Sequence, residues 1–86
     1  MHELSLMQNL FKKITQIAQA EKSDTVTVVR VQLGALCHCS PDHFREHFEE
    51  LRKGSVAEHA ELEITENPDI YHPKAQDITL LSIDVT

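Results

Sequence analysis

The chain has 86 residues, with 8 Lys+Arg against 14 Asp+Glu and a formal net charge of −6 with histidine neutral. That length makes one domain with a small core, since it buries only about 60–65% of the surface it exposes when unfolded, and the acidic balance argues against a nucleic-acid phosphate binder. The longest stretch free of charge, residues 31–41, is eleven residues, short of the roughly 20 apolar residues of a membrane helix; with no secretory pattern at the start, a soluble protein with no membrane role is expected.

Leu4, Met7, Leu10, Phe11, Ile14, Ile17 and Ala18 recur at steps of three and four, which predicts an amphipathic helix ending before Ser23-Asp24. Residues 25–33 are β-branched, with Val29, Val31 and Leu33 alternating with Arg30 and Gln32, as in a strand with one wet face. Gly34 then breaks the strand, and residues 35–39 form a short connection. Ser40-Pro41-Asp42 is a helix start, with a hydroxyl cap, a proline in the first turn and an acid near the positive end of the dipole. The second helix is expected over residues 41–53, with Phe44, Phe48 and Leu51 as its buried stripe and Gly54 as a left-handed stop.

Leu62 and Ile64 alternate with Glu61, Glu63 and Thr65 in a second strand that ends at Asn67-Pro68-Asp69. A third strand follows over residues 78–85, with Leu81, Ile83 and Val85 on one face and Ser82 and Asp84 on the other. The order α-β-α-β-β predicts an α+β two-layer sandwich, with two helices packed on a three-stranded mixed sheet in a single domain of residues 1–86. The first two strands, joined through a helix, should be parallel, and the third antiparallel to the second.

Three groups of residues could carry chemistry. Met1-His2-Glu3 offers a terminal amine, an amide nitrogen and an imidazole that can close fused chelate rings around one cation, a planar nitrogen set suited to Ni(II) or Cu(II). The competing reading is a frayed terminus whose Glu3 favours the first turn of a helix. Cys37-His38-Cys39 leaves the first strand with two soft thiolates, a partial zinc-type set that would need His38 or a second copy of the chain to complete it. Its alternative is a pair of small hydrophobic residues in a turn. These two cysteines, two apart, are too close for an ordinary structural disulfide and fit a reducing, cytosolic compartment.

His43 and His47 share a face of the second helix, but Phe44, Arg45 and Glu46 between them break the H-E-x-x-H pattern, so a solvated flank is the better reading. His59 and His72 fall in loops. No Gly-rich phosphate loop and no nucleophile with a base and an orienting group can be found, so no enzyme is expected.

Taken together, these segments resemble the HypA/HybF family of hydrogenase nickel-insertion accessory proteins. The resemblance rests on Met1-His2-Glu3-Leu4-Ser5-Leu6, on VVRVQLGAL at residues 28–36, on residues 41–64 with KGSVAEHAELEI at residues 53–64, and on LLSIDV at residues 80–85. It implies a metallochaperone that holds nickel and passes it toward nickel–iron hydrogenase, and in some organisms urease. It places nickel on His2, with Glu3 beside it and Met1 supplying the amine, and it implies a nickel-handling maturation GTPase and the hydrogenase large subunit as partners in the cytoplasm.

Family members insert a zinc domain built from two C-x-x-C pairs between the second and third strands. This chain has no C-x-x-C, and residues 67–77 (NPDIYHPKAQD) hold only His72 as a candidate ligand. Zinc is therefore not expected, and Cys37, His38 and Cys39 stay as weaker metal candidates. Two other readings compete: a metal-free interaction module of the same fold, and a thiol-dependent metal carrier using Cys37 and Cys39. Either a monomer or a homodimer paired through a sheet edge fits the sequence.

Overall fold

The computed structural model describes residues 3–86, with side-chain surroundings from Ser5 onward. Its elements are α1 (Glu3–Ala20), β1 (Val26–Gly34), α2 (Pro41–Leu51), β2 (Glu61–Asn67) and β3 (Ile78–Val85). Two helices and one mixed three-stranded sheet make the expected α+β fold.

The stripe of α1 buries Met7, Leu10, Ile14 and Ala18 completely or nearly so, with Phe11 packed beside them. Ile17, expected in that stripe, lies at its edge and is 41% exposed. The helix stops without glycine. Lys22 takes the left-handed conformation at φ 56°, and the Ser23 and Lys22 N–H groups donate back to the Ala18 and Gln19 carbonyls at 2.9 and 3.0 Å. This paired arrangement satisfies carbonyls that a helix end leaves open.

Ser40 caps α2, its hydroxyl accepting from the His43 N–H at 3.1 Å. Phe44 and Phe48 are fully buried and Leu51 partly so. The helix ends at Leu51 rather than Lys53, and Gly54 takes its left-handed φ of 77° in the following turn. Arg52 in that turn lies over the Phe48 ring at 5.2 Å and reaches the Ala60 carbonyl, tying the end of α2 to the start of β2.

The strand order is β2-β1-β3. β1 pairs with β2 in parallel, as the helical crossover requires. β3 runs antiparallel, but its neighbour is β1, not β2. Placing the valine-rich β1 at the centre pairs both of its edges and buries Val26, Val29, Val31 and Leu33 under the helices. The connection from β2 to β3 must then cross the end of β1.

It crosses at Gly34, whose N–H donates to the Asp77 carbonyl at 3.0 Å while the Leu36 N–H donates to that of Ala75 at 2.7 Å. A Cβ on Gly34 would stand 2.2 Å from the Ala75 carbonyl oxygen. Gly34 is thus the last strand residue, kept bare for a crossing chain, rather than a strand breaker.

Two register shifts interrupt the β1–β3 ladder. One follows Val26 and leaves Thr27 as an extra residue in β1. The other leaves Leu81 extra in β3, between Leu80 opposite Val31 and Ser82 opposite Arg30. A bulge reverses which residues face inward beyond it. Hence Ile78 and Leu80 pack on the core before the bulge, Ile83 and Val85 after it, and Leu81, expected inside, is 50% exposed.

α1 lies against β3 and α2 against β2, and the helices meet where the Phe11 and Phe48 rings approach to 4.9 Å. The opposite sheet face is polar. There Arg30 grips both carboxylate oxygens of Asp84 at 3.0 Å and donates to Glu63 at 3.2 Å, so one side chain of the central strand links both edge strands. Among the described residues, no helix is long and apolar enough to cross a membrane.

Candidate metal centre

The Cys37-His38-Cys39 group singled out from the sequence lies in the connection between β1 and α2. After Gly34 the chain turns through Ala35 and Leu36, the Cys37 N–H donating to the Gly34 carbonyl at 3.1 Å, and reaches His38, which has φ 58°. Histidine is among the residues that more readily enter the left-handed region. This kink separates the two cysteines. The Cys37 thiol donates to the Cys39 carbonyl and the Cys39 thiol to the Ser40 carbonyl, each at 3.5 Å. Both cysteines pack part-buried on the core, as small hydrophobic residues in a turn do.

On one side of this loop is a cleft of about 640 Å³ lined by Leu36, Cys37, His38, Cys39, Glu66 and Ile70. On the other side a cleft of about 300 Å³ is lined by Leu6, Leu36, Cys37, His38, Gln76 and Asp77. Leu6 stands three residues after Glu3, which is about one helical turn. The N-terminal end of α1, the Cys37-His38 loop and the end of the β2–β3 connection therefore come together. Met1 and His2, and the side chain of Glu3, lie outside the described residues. Among the described residues, no three His, Cys, Asp or Glu side chains are grouped to hold a metal ion.

The β2–β3 connection is tied locally. Asn67 and Asp69 side chains accept from the Asp69 and Tyr71 N–H groups at 3.0 and 2.9 Å. His72 Nδ1 accepts from the Lys74 N–H at 3.0 Å, so that ring nitrogen is engaged in shaping the turn.

Along α2, the His43 and His47 rings stack with centroids 4.7 Å apart and planes 17° from parallel. Their Nε2 atoms converge to 2.8 Å. The four-residue spacing was legible in the sequence, but the convergence of the ring tips was not.

Comparison with known proteins decides the lineage. The family model described as "Hydrogenase/urease nickel incorporation, metallochaperone, hypA" matches residues 1–73. The chain belongs to the HypA family. Relatives named hydrogenase maturation factor HypA include one from Archaeoglobus fulgidus, 37% identical over 71 residues, covering 81% of this chain and 64% of the relative. Another, from Rhizobium leguminosarum bv. viciae, is 38% identical over 64 residues, covering 74% of this chain and 57% of the relative. The chain thus spans under two thirds of the length of these relatives.

The fold is also that of a solved structure of the family, the solution structure of the Ni metallochaperone HypA from Helicobacter pylori. It superposes with a TM-score of 0.81 at 19% identity, covering 99% of this chain and 97% of that one.

Proposed function

We propose that this chain carries nickel: it binds Ni(II) through Met1, His2 and Glu3 and hands it on during maturation of nickel–iron hydrogenase, or of urease in organisms that make it. The family match over residues 1–73, which begins at Met1 and takes in the whole terminal signature, carries this reading. The chemistry of the terminus supports it. The Met1 amine, the His2 amide nitrogen and the His2 imidazole form fused chelate rings that present nitrogen donors in a plane, which suits Ni(II). The chain acts by binding and release and catalyses no reaction. Its partners on this reading are a nickel-handling GTPase and the hydrogenase large subunit, in the cytoplasm.

Zinc has no part in this reading. Among the described residues, one Cys-x-Cys whose thiols donate to carbonyls and the turn-forming His72 do not make up a tetrahedral thiolate set. Residues 67–77 stand where the family's zinc domain would be inserted.

The test is a nickel titration of the untagged chain beside His2→Ala and a chain with one extra residue before Met1. Both changes should remove most of the affinity, whereas alkylating Cys37 and Cys39 should not. Protons compete for the same nitrogens, so binding should weaken as pH falls below the ordinary imidazole value of about 6.5. Undiminished nickel binding by the extended chain overturns the N-terminal assignment.

A further inference from the structure

We infer that the outer edge of β2 from Ile64 to Glu66, with the cleft at its end, is a docking site for an extended segment of a partner protein, one in which apolar residues alternate with lysine or arginine. The site needs no nickel and stands or falls apart from the N-terminal reading.

Backbone direction comes first. Along a strand, the N–H and C=O of one residue point to one side and those of the next residue to the other. The Gly34 N–H donates to Asp77, on the β3 side of the sheet, so Leu33 and Val31 alternate in direction with it. Leu33 therefore turns its groups toward β2, and so does Val31. Ile64 stands opposite Val31 and Glu66 opposite Leu33 in the parallel ladder. In such a ladder the flanking residues, Glu63 and Thr65, make the bonds, and Leu62, Ile64 and Glu66 turn their backbone outward. The Leu62 carbonyl shows this directly, accepting at 3.4 Å from the exposed Arg45 of α2. Just before β2, Arg52 reaches the Ala60 carbonyl. Two arginines thus occupy the start of this edge. Among the described residues, no side chain reaches the carbonyls of Ile64 and Glu66.

The two edges of the sheet also differ in how readily they accept a strand. β3 is interrupted by its extra residue at Leu81, and bulges blunt an edge. β2 runs unbroken from Glu61 opposite Val28 to Asn67 opposite Gly34, with no proline or lysine in it. Its open end leads into the cleft of about 640 Å³, whose lining includes Leu33, Leu36, Glu66 and Ile70. Leu36 is 38% and Ile70 52% exposed. Main-chain bonds along the edge and a pocket at its end are the two parts of recognition by strand addition.

Charge selects the occupant. Glu61, Glu63 and Thr65 lie on the polar face of β2, and Leu62 and Ile64 on the core side. A strand laid beside β2 presents one row of side chains to the glutamates and the other to Ile64 and the cleft. Lysine or arginine suits the first row and apolar residues the second. Glu66 at the mouth of the cleft and the net charge of −6 add attraction for a basic segment. A second copy of β2 would set glutamates beside glutamates, which is unfavourable.

The experiment follows amide hydrogen exchange by NMR in the isotope-labelled full chain, with a short blocked peptide alternating lysine and valine as the probe. In the free chain, the Ile64 and Glu66 amides should exchange faster than those of Glu63 and Thr65. With about nine tenths of the chain bound, the Ile64 and Glu66 amides should slow about tenfold, because exchange then proceeds from the free tenth. A peptide with proline in place of its central valine loses a ladder donor and should bind more weakly. Glu63→Gln should weaken binding about twofold to fivefold, the range of one cross-strand charge pair, and added salt should weaken it further. Slowed exchange at Leu81 and Ile83 of β3 in place of Ile64 and Glu66, or equal affinity for the proline peptide, overturns the site. Slowing of Ile64 and Glu66 that grows with the concentration of the chain alone makes a second copy the occupant and overturns the basic segment. Loss of nickel binding on His2→Ala bears only on the N-terminal reading.

Discussion

Gly34 shows how one absent side chain can set a topology. Its Cα lies under the segment that carries the chain from β2 across to β3, with the Ala75 carbonyl occupying the space of a methyl group. Backbone cannot step aside as a flexible side chain does, so Gly34→Ala should cost at least the usual penalty for overpacking, about 1–3 kcal/mol, read as a lower urea midpoint. Asp84 is the second residue with a definite consequence. Hydrogen bonds from Arg30 hold its carboxyl below the ordinary value of 3.8. A carboxyl depressed in the folded state binds fewer protons there than in the unfolded chain. Its contribution is therefore complete above that ordinary value and is lost as pH falls through the lower folded value. In urea titrations at pH about 6 and about 3, Asp84→Asn should shrink the loss of stability on acidification. An unchanged difference would mean that Arg30 and Asp84 do not act as a pair in solution.

Among the elements, α2 meets α1 through one phenylalanine ring. Its Phe48 touches Phe11 of α1, Phe44 of its own helix and the guanidinium of Arg52, and it is completely buried. Truncating such a ring costs about 3–5 kcal/mol, a large part of the stability of a domain this small. Phe48→Ala should therefore lower the melting temperature more than any exposed change on the same helix. A variant as stable as its parent would show that the two helices do not depend on each other through that ring. β3 carries a different lesson. Its alternation of apolar and polar residues is plain in the sequence, yet the phase of that alternation is reset at Leu81, so no single assignment of faces holds along the whole strand.

At the scale of the molecule, stability comes from closing two helix stripes over the central strand, at about 25 cal/mol per Å² of apolar area removed from water. Met7, Ile14, Val29, Val31, Phe44 and Phe48 are all fully buried in that one cluster. A chelator should therefore move the melting temperature of metal-analysed protein by no more than a few degrees. A larger fall would reveal a structural metal outside the residues discussed. Among the described residues, β2 and β3 form the two edges of the sheet. The polar face that carries Arg30, Glu63 and Asp84 lies opposite the helices and needs no cover.

The five elements and their approximate bounds were legible in the sequence because their signals are local. A 3.6-residue recurrence, a hydroxyl before a proline and a two-residue alternation act within a few positions of themselves. The terminal signature of the candidate nickel site is local in the same way. What the tertiary structure alone decided depends on which surfaces meet. The central place of β1, the neighbour of β3, the extra residues Thr27 and Leu81, the bare Gly34 under the crossing chain and the convergence of His43 with His47 all belong to that class. A bulge adds one residue without changing the composition around it. A pair of rings meets only after the buried face of its helix has fixed the rotation.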